Sequence, residues 1–394
     1  MQEKSSAVVF VGCGYNMGGV LFLAHMGVAL SKSVYGSDFF FGSLDCEAQE
    51  GYWDLVHRNI RSDRVVLGKD FDELSTKLVG LAKFYDKVLV HTAGGWGQTK
   101  HFMRARRKIG KELSSRLIFV CTTHSYRNDS LLRWPVSALL YVLYRMYYRL
   151  VIFQCKDAAD KFCGGNNLIK KGKAIVLPLG CEPFDKSESN VPKKISENEC
   201  LVKVLEDQHL FKFVYLAAFR PGKMHVWLIK AFSAVLKRNL NSRVLLCGTG
   251  DRKVISKVKH AIKVTGLSNQ VILTGQIPRN EIPWLLSHCN CAVVPSRAET
   301  FGHNFLEPMF AGIPVLGTSV GIGIDIIRDG ETGYHFSLND RMSFVRGADR
   351  MMKDRKQARL MGEKAYNVVM ANFSHSVIAE RLSNLYSHLL RENI

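Results

Sequence analysis

Short apolar runs recur along the chain, separated by segments whose apolar positions repeat every three to four residues. The runs at 7–12, 87–92, 117–122, 151–154 and 174–178 predict the strands of one sheet. Those at 213–218, 243–248, 271–275, 291–295 and 314–318 predict a second. These runs are mostly apolar rather than alternating, the pattern of strands covered on both faces, as parallel strands are. Strands that alternate with helical segments predict two doubly wound α/β sheets. Residues 186–199 are polar, charged and aperiodic, and are expected to form a connection or an exposed loop. A final amphipathic helix is expected over about 374–390. At 394 residues the chain is longer than one ordinary core, so two domains are expected.

The richest chemistry follows the run at 291–295. Glu299 and Glu307 flank a turn with Gly302 and the start of a helix expected over about 304–311, closed by Gly312 and Pro314. The free N–H groups of such a helix start favour an anion such as a diphosphate. Two carboxylates at this spacing border one ligand, or else act only as acidic residues at the helix's positive end. After the run at 213–218 come Arg220 and Lys223, cations suited to charge developing on a departing diphosphate. The glycines of the 247–251 segment, Gly248 among them, permit close backbone approach. In the first half, a glycine-rich loop at 12–19 follows a strand and opens a helix. It reads as a ligand-approach loop, a plain tight turn, or a dinucleotide fingerprint with Asp38 or Asp45 as the ribose acid. His124 follows the run at 117–122, at the strand end that faces the ligand crevice of open α/β sheets.

Glu299, Phe301, Gly302, Glu307, Ala311, Gly312, Pro314 and Val315 closely resemble the signature of retaining, nucleotide-sugar-dependent glycosyltransferases of the GT-B fold. The later 321–333 segment resembles that family's downstream loop, with Asp325 where a glutamate is usual and Ile322 and Ile324 in place of glycine and proline. Lys223 matches a family lysine, but Met224 replaces the glycine after it, and Ala218 stands where the family's arginine falls. The resemblance implies two Rossmann-like doubly wound parallel-sheet domains facing a cleft. Residues 1–190 would form the acceptor side, 191–372 the donor side, and 373–394 a helix crossing back to the first domain. It further implies Glu307 on the ribose hydroxyls, and Arg220, Lys223 and the amides of His303, Asn304 and Phe305 on the diphosphate. Glu299 would orient the donor sugar, His124 would contact it near the reacting carbon, and the paired Gly18 and Gly19 would reach toward donor and acceptor.

Composition adds a partner. The chain has 54 basic residues against 35 acidic ones, a formal charge of +19, which suits polyanionic surroundings. In the 99–113 segment, read as a helix, Phe102, Ala105, Ile109 and Leu113 share one face, with Arg104, Arg107, Lys108 and Lys111 opposite. That basic face is either solvated or docks on anionic lipid. No recognisable nucleic-acid module accompanies the charge, so nucleic acid is not expected. The apolar run at 134–144 is too short to span a bilayer and reads as a buried core helix whose aromatics also suit an interface. The ten cysteines show no C-x-x-C pair, which suits a reducing cytosol, and no signal peptide is evident.

The expected protein is a cytoplasmic enzyme, peripheral to the inner face of a membrane, that moves a sugar from a nucleotide-diphosphate donor to a glycan or glycolipid acceptor. No cofactor and no metal are expected, because no D-x-D motif or histidine–carboxylate cluster is evident. A nucleotide-sugar epimerase, a dinucleotide-dependent oxidoreductase and an inactive membrane-surface binding protein remain the alternatives.

Overall fold

The computed structural model describes residues 6–12, 37–44, 65–68, 71–94, 116–123, 134–181 and 190–391. The chain divides into two compact units, Met1–Gly180 with Phe373–Ile394, and Cys181–Asn372. The sequence reading had placed the first boundary at 190 rather than 180. His124, Gly18, Gly19, Arg104, Arg107, Lys108 and Lys111 all lie outside the described residues.

In the first unit the strands are β1 (Ser6–Gly12), β2 (Ser37–Leu44), β3 (Val65–Gly68), β4 (Val88–Gly94), β5 (Leu117–Thr123), β6 (Leu150–Phe153) and β7 (Ala174–Val176). They pair in parallel in the order β3-β2-β1-β4-β5-β6-β7, so the winding reverses between β1 and β4. Two of these strands, β2 and β3, were not read from the sequence. Val9, Val90, Val151 and Phe153 form the core with Leu78 and Ala82 of the helix Phe71–Phe84 and Leu140 and Tyr144 of the helix Trp134–Tyr147.

That second helix is only half core. Leu140, Leu143 and Tyr144 are buried, whereas Leu139, Val142 and Met146 are 45%, 47% and 61% exposed. Spaced three and four residues apart, the exposed three share a helix face. The expectation of a buried core helix therefore holds for one face and fails for the other.

The C-terminal helix, His375–Arg391, belongs to this unit and buries Ile378, Leu382, Tyr386 and Leu389. Its Tyr386 hydroxyl meets Nδ1 of His91 on β4, and His91 Nε2 lies 2.6 Å from Thr122 Oγ1 on β5. Burial pushes the His91 imidazole down to about 3, so it is neutral at pH 7. Lys87 Nζ donates to the Leu390 carbonyl at 2.8 Å and tethers the last turn.

In the second unit, β8 (Phe211–Leu216), β9 (Ser242–Cys247), β10 (Val271–Gly275), β11 (Cys291–Val294), β12 (Val315–Thr318) and β13 (Gly333–Phe336) form a parallel sheet in the order β10-β9-β8-β11-β12-β13. Of these, β13 was not read from the sequence. Phe213, Phe232 and Phe344 are fully buried, and their rings meet within 5.0 Å from centroid to centroid along the chain Phe213–Phe232–Phe344. The segment expected to be a loop instead contains a short helix, Lys193–Ser196, followed by Glu199–Glu206. Buried Glu281 accepts from the Lys194 and Ile195 amides at 3.0 and 3.1 Å, supplying the first turn with the acceptor its own sequence lacks. Cys247, Cys289 and Cys291 are buried and free, packing as small hydrophobes.

Candidate active site

The winding of the second sheet reverses between β8 and β11. Ligands of open α/β sheets bind outside the strand C-termini at such a reversal. The loop after β8 runs through a tight turn, Pro221–Lys223, into the helix His225–Leu236. The loop after β11 carries Glu299 and ends in the helix His303–Phe310.

Tyr215 of β8 lies buried beneath both loops. Its hydroxyl donates to the Lys223 carbonyl at 3.0 Å and lies 3.2 Å from Ser296 Oγ. The Arg297 amide donates to the Gly222 carbonyl at 3.0 Å, a second link between the loops. Burial raises the Tyr215 phenol far above its ordinary range, so it stays a neutral donor. This underpinning brings Lys223 Nζ to 2.5 Å from Glu299 Oε1, with the side chains 24% and 10% exposed. Asn304 Nδ2 donates to the same oxygen at 3.1 Å.

Close packing explains several glycines here. A Cβ at Gly321, where φ is +57°, would lie 2.4 Å from the Phe301 carbonyl oxygen and 2.8 Å from Glu299 Cβ. The downstream loop therefore presses on the base of Glu299, and the Ile322 amide donates to the Phe301 carbonyl at 2.7 Å. Ile322 is buried, Ile324 is 44% exposed, and Asp325 lies on the turn Gly323–Ile326. A Cβ at Gly248 would come within 2.3 Å of the Ala217 carbonyl oxygen, so packing against the β8 loop already demands glycine there. Met224 is the non-glycine residue with positive φ among the described residues, at φ 57° and ψ 28°. It holds the left-handed conformation that suits the glycine usual in the resembled family.

The helix His303–Phe310 starts at Gly302, where φ is +105°. The Phe305 side chain is fully buried and fills the space that Gly317 and Gly323 leave, where an added Cβ would lie 2.6 and 2.7 Å from its ring. The Phe305 amide already donates to the Gly302 carbonyl at 2.9 Å. Phe305 therefore builds the helix start and does not offer the free amide expected of it. His303 and Asn304 provide the N–H groups that precede the intrahelical ladder. His303 Nδ1 and Asn304 Oδ1 are buried without a hydrogen-bond partner. Burial, and then the Arg279 charge, pushes the His303 imidazole down to about 4.

One turn further in, Glu307 is 18% exposed and lies 3.9 Å from the Arg279 guanidinium. Burial raises its carboxyl above the usual range, and Arg279 opposes that shift. Arg220, at the start of the tight turn, is exposed and accepts the Lys223 amide on its carbonyl at 3.0 Å. His225, the first residue of its helix, is buried against Phe219 with centroids 4.2 Å apart and with neither ring nitrogen partnered. Burial, and then Lys223, pushes it down to about 4.

The structure thus brings Lys223, Glu299 and Asn304 together and sets His303 and Glu307 on the adjoining helix. Arg279, Tyr215 and Ser296 were not among the residues expected at the site. Arg279 reaches Glu307 from a turn at 279–281, and Tyr215 and Ser296 read as ordinary strand and loop residues. The assembly offers the Lys223 and Arg279 cations, two unladdered amides and two carboxylates at a strand-end crevice, a set suited to a ligand carrying both a diphosphate and hydroxyls.

Residues 198–368 match the family described as glycosyl transferases group 1. An N-acetyl-alpha-D-glucosaminyl L-malate synthase from Bacillus anthracis is 26% identical over 180 residues, 46% of each chain. The alpha-1,3/1,6-mannosyltransferase ALG2 of Dictyostelium discoideum is 29% identical over 239 residues, 56% of each chain. The chain spans about half the length of the curated relatives it matches. Among solved structures, Anabaena HepE in complex with UDP and glucose aligns over 97% of this chain and 99% of its own, with a TM-score of 0.73 at 18% identity. Sucrose-phosphate synthase from Thermosynechococcus elongatus aligns over 98% and 99%, with a TM-score of 0.70. At such identities these likenesses show the fold, which is that of GT-B glycosyltransferases. Residues 198–368 of the second unit are therefore similar to the group 1 glycosyl transferases, on a chain of the GT-B fold.

Proposed function

We propose that this chain is a retaining glycosyltransferase that moves a sugar from a nucleoside-diphosphate donor to an acceptor hydroxyl. The observation that carries the reading is the Lys223–Glu299–Asn304 cluster at the winding reversal, beside the start of the helix His303–Phe310. Negative charge builds on the diphosphate as the glycosidic bond breaks. Lys223 and the amides of His303 and Asn304 stabilise that charge without a metal or a proton transfer. Glu299 accepts hydrogen bonds from the donor sugar, and Glu307 accepts them from the ribose. HepE, a structural neighbour, has been crystallised with UDP-glucose, which supports a donor of this class.

Turnover and binding separate the two carboxylates. Glu299→Ala should lower kcat by about 100-fold or more while nucleoside-diphosphate affinity holds. Glu307→Ala should weaken that affinity. The roles are wrong if both variants lose only affinity, or if neither loses anything.

The acceptor we assign to an anionic membrane surface, as a glycolipid. Leu139, Val142 and Met146 support this reading: they form an exposed apolar stripe in the first unit, with Arg145 exposed beside them. No helix among the described residues is long and apolar enough to cross a membrane, so contact would be peripheral. Replacing the three with Gln should release the protein from anionic vesicles in co-sedimentation. Undiminished binding would leave the basic 99–113 segment as the remaining candidate.

A further inference from the structure

Glu299 Oε1 receives two donors and is crowded, while hydrogen bonding leaves Oε2 for a ligand. Lys223 Nζ lies 2.5 Å from Oε1 and Asn304 Nδ2 lies 3.1 Å from it. The two donors differ in permanence. Lys223 is a flexible cation on a tight turn and is the group we assign to the diphosphate, so an anionic donor competes with Glu299 for it. Asn304 is a buried neutral amide in the first turn of a helix. Nothing in a diphosphate draws it away.

The stem of Glu299 is fixed independently. Gly321 packs against its Cβ so closely that an added methyl there would lie 2.8 Å away. With the stem fixed by Gly321 and one oxygen fixed by Asn304, the remaining freedom of the carboxylate is its second oxygen's direction. That direction is set by the plane of the Asn304 hydrogen bond.

We propose that Asn304 is a positioning residue: it holds Glu299 Oε1 when Lys223 turns to the diphosphate, so that Oε2 stays aimed at the donor sugar. The inference rests on the glycosyltransferase reading and deepens it. It also gives the Lys223–Glu299 ion pair a meaning, as the ligand-free resting contact that the donor exchanges for its own phosphate. Asn304 Oδ1 plays no part in this, since only the amide nitrogen reaches the carboxylate.

The test uses the whole chain and a panel of UDP-, GDP-, ADP- and dTDP-linked hexoses, with water as the acceptor of the sugar, read as release of nucleoside diphosphate by donor hydrolysis. With the donor that wild type turns over, N304A should lower kcat by about 100-fold, the loss expected for an ångström-scale misplacement. Affinity for the matching nucleoside diphosphate should stay within about twofold. Combined with E299A, it should cost nothing further, because Asn304 acts only through Glu299. N304D keeps the shape, removes the donor and places a carboxylate against Glu299, so it should be at least as impaired. It also serves as the test if N304A does not fold. A purely structural role would lower affinity and kcat together and would add to E299A, and that pattern overturns the proposal. An active wild type with N304A unchanged overturns the positioning role alone. A wild type inert toward the whole panel overturns the transferase reading and this inference with it.

Discussion

Among the described residues, both units carry a doubly wound parallel sheet, and a buried histidine of the first contrasts with those of the second. In the first, His91 has both ring nitrogens partnered, one by Tyr386 of the C-terminal helix and one by Thr122 of the neighbouring strand. In the second, His303 Nδ1, Asn304 Oδ1 and both nitrogens of His225 are buried without partners, beside a strand-end cluster of Lys223 and Glu299. Both units reverse their winding at the centre of the sheet. Topology alone therefore does not distinguish a structural network from a binding site. Satisfaction does: a closed polar network fixes architecture, whereas unpartnered buried atoms at strand ends call for a ligand.

The largest effect expected from breaking this contrast is in the first unit. His91→Phe removes both His91 side-chain hydrogen bonds, one to the C-terminal helix and one to Thr122 of β5. It should cost about 1–3 kcal/mol in denaturant unfolding and leave nucleoside-diphosphate binding intact. Its pH signature follows from the direction of the shift. The imidazole is held near 3 in the fold against an unfolded value near 6.5, so protons favour the unfolded chain across that window. The stability contribution is present above 6.5 and is lost as pH falls toward 3. His91→Phe should flatten stability over that interval, and equal slopes for variant and wild type would contradict the burial of a neutral imidazole.

Glu307→Gln sharpens the other side of the contrast. The Glu307 carboxyl is raised by burial, so its ionised form costs stability once pH passes the folded value. The neutral amide should therefore stabilise the second unit at neutral pH. The gain should shrink as pH falls through the raised value toward the ordinary carboxyl range, where the native side chain is itself protonated. Donor affinity should fall at the same time. A variant that loses both stability and affinity would mark Glu307 as a structural partner of Arg279 rather than a ligand group.

The smallest effect is at Met224. Its left-handed backbone costs a non-glycine residue about 1–2 kcal/mol. Relief of this strain by Met224→Gly is offset in part by the greater freedom glycine has in the unfolded chain. A net gain of about 1 kcal/mol or less is expected, with the Lys223–Glu299 contact kept. A loss of stability would mean that the methionine side chain supplies packing that outweighs the strain.

How much of this was legible in the sequence differs between the units for physical reasons. The strands β8, β9, β11 and β12 are buried, largely apolar runs, and glycine or proline adjoins all of them but β8; their positions came within a few residues. The glutamate pair was legible because both the helix start and the spacing to Glu307 are local. Gly333–Phe336 was not, because its glycine and histidine break the apolar run, and Val65–Gly68 was missed although it is as apolar and as long as Cys291–Val294. Ser37–Leu44 places three phenylalanines in succession after a polar start and before Gly42-Ser43, which masks its strand pattern. The helix Glu199–Glu206 begins where the polar connection expected over 186–199 ends and was not read, although Asn198 caps it and Leu201 and Leu205 bury a shared face. Contacts such as Lys223 with Glu299 or Arg279 with Glu307 depend on how loops from separate strands meet, which no spacing along the chain encodes.

The central claim is that the Lys223–Glu299–Asn304 cluster belongs to a nucleoside-diphosphate site in the second unit. Calorimetric titration of UDP, GDP, ADP and dTDP into wild type and Lys223→Ala tests it most directly. At least one nucleotide should bind the wild type, and the variant should bind that nucleotide at least tenfold more weakly with its unfolding transition unchanged. Absence of binding by all four, or equal affinity in both proteins, would contradict it.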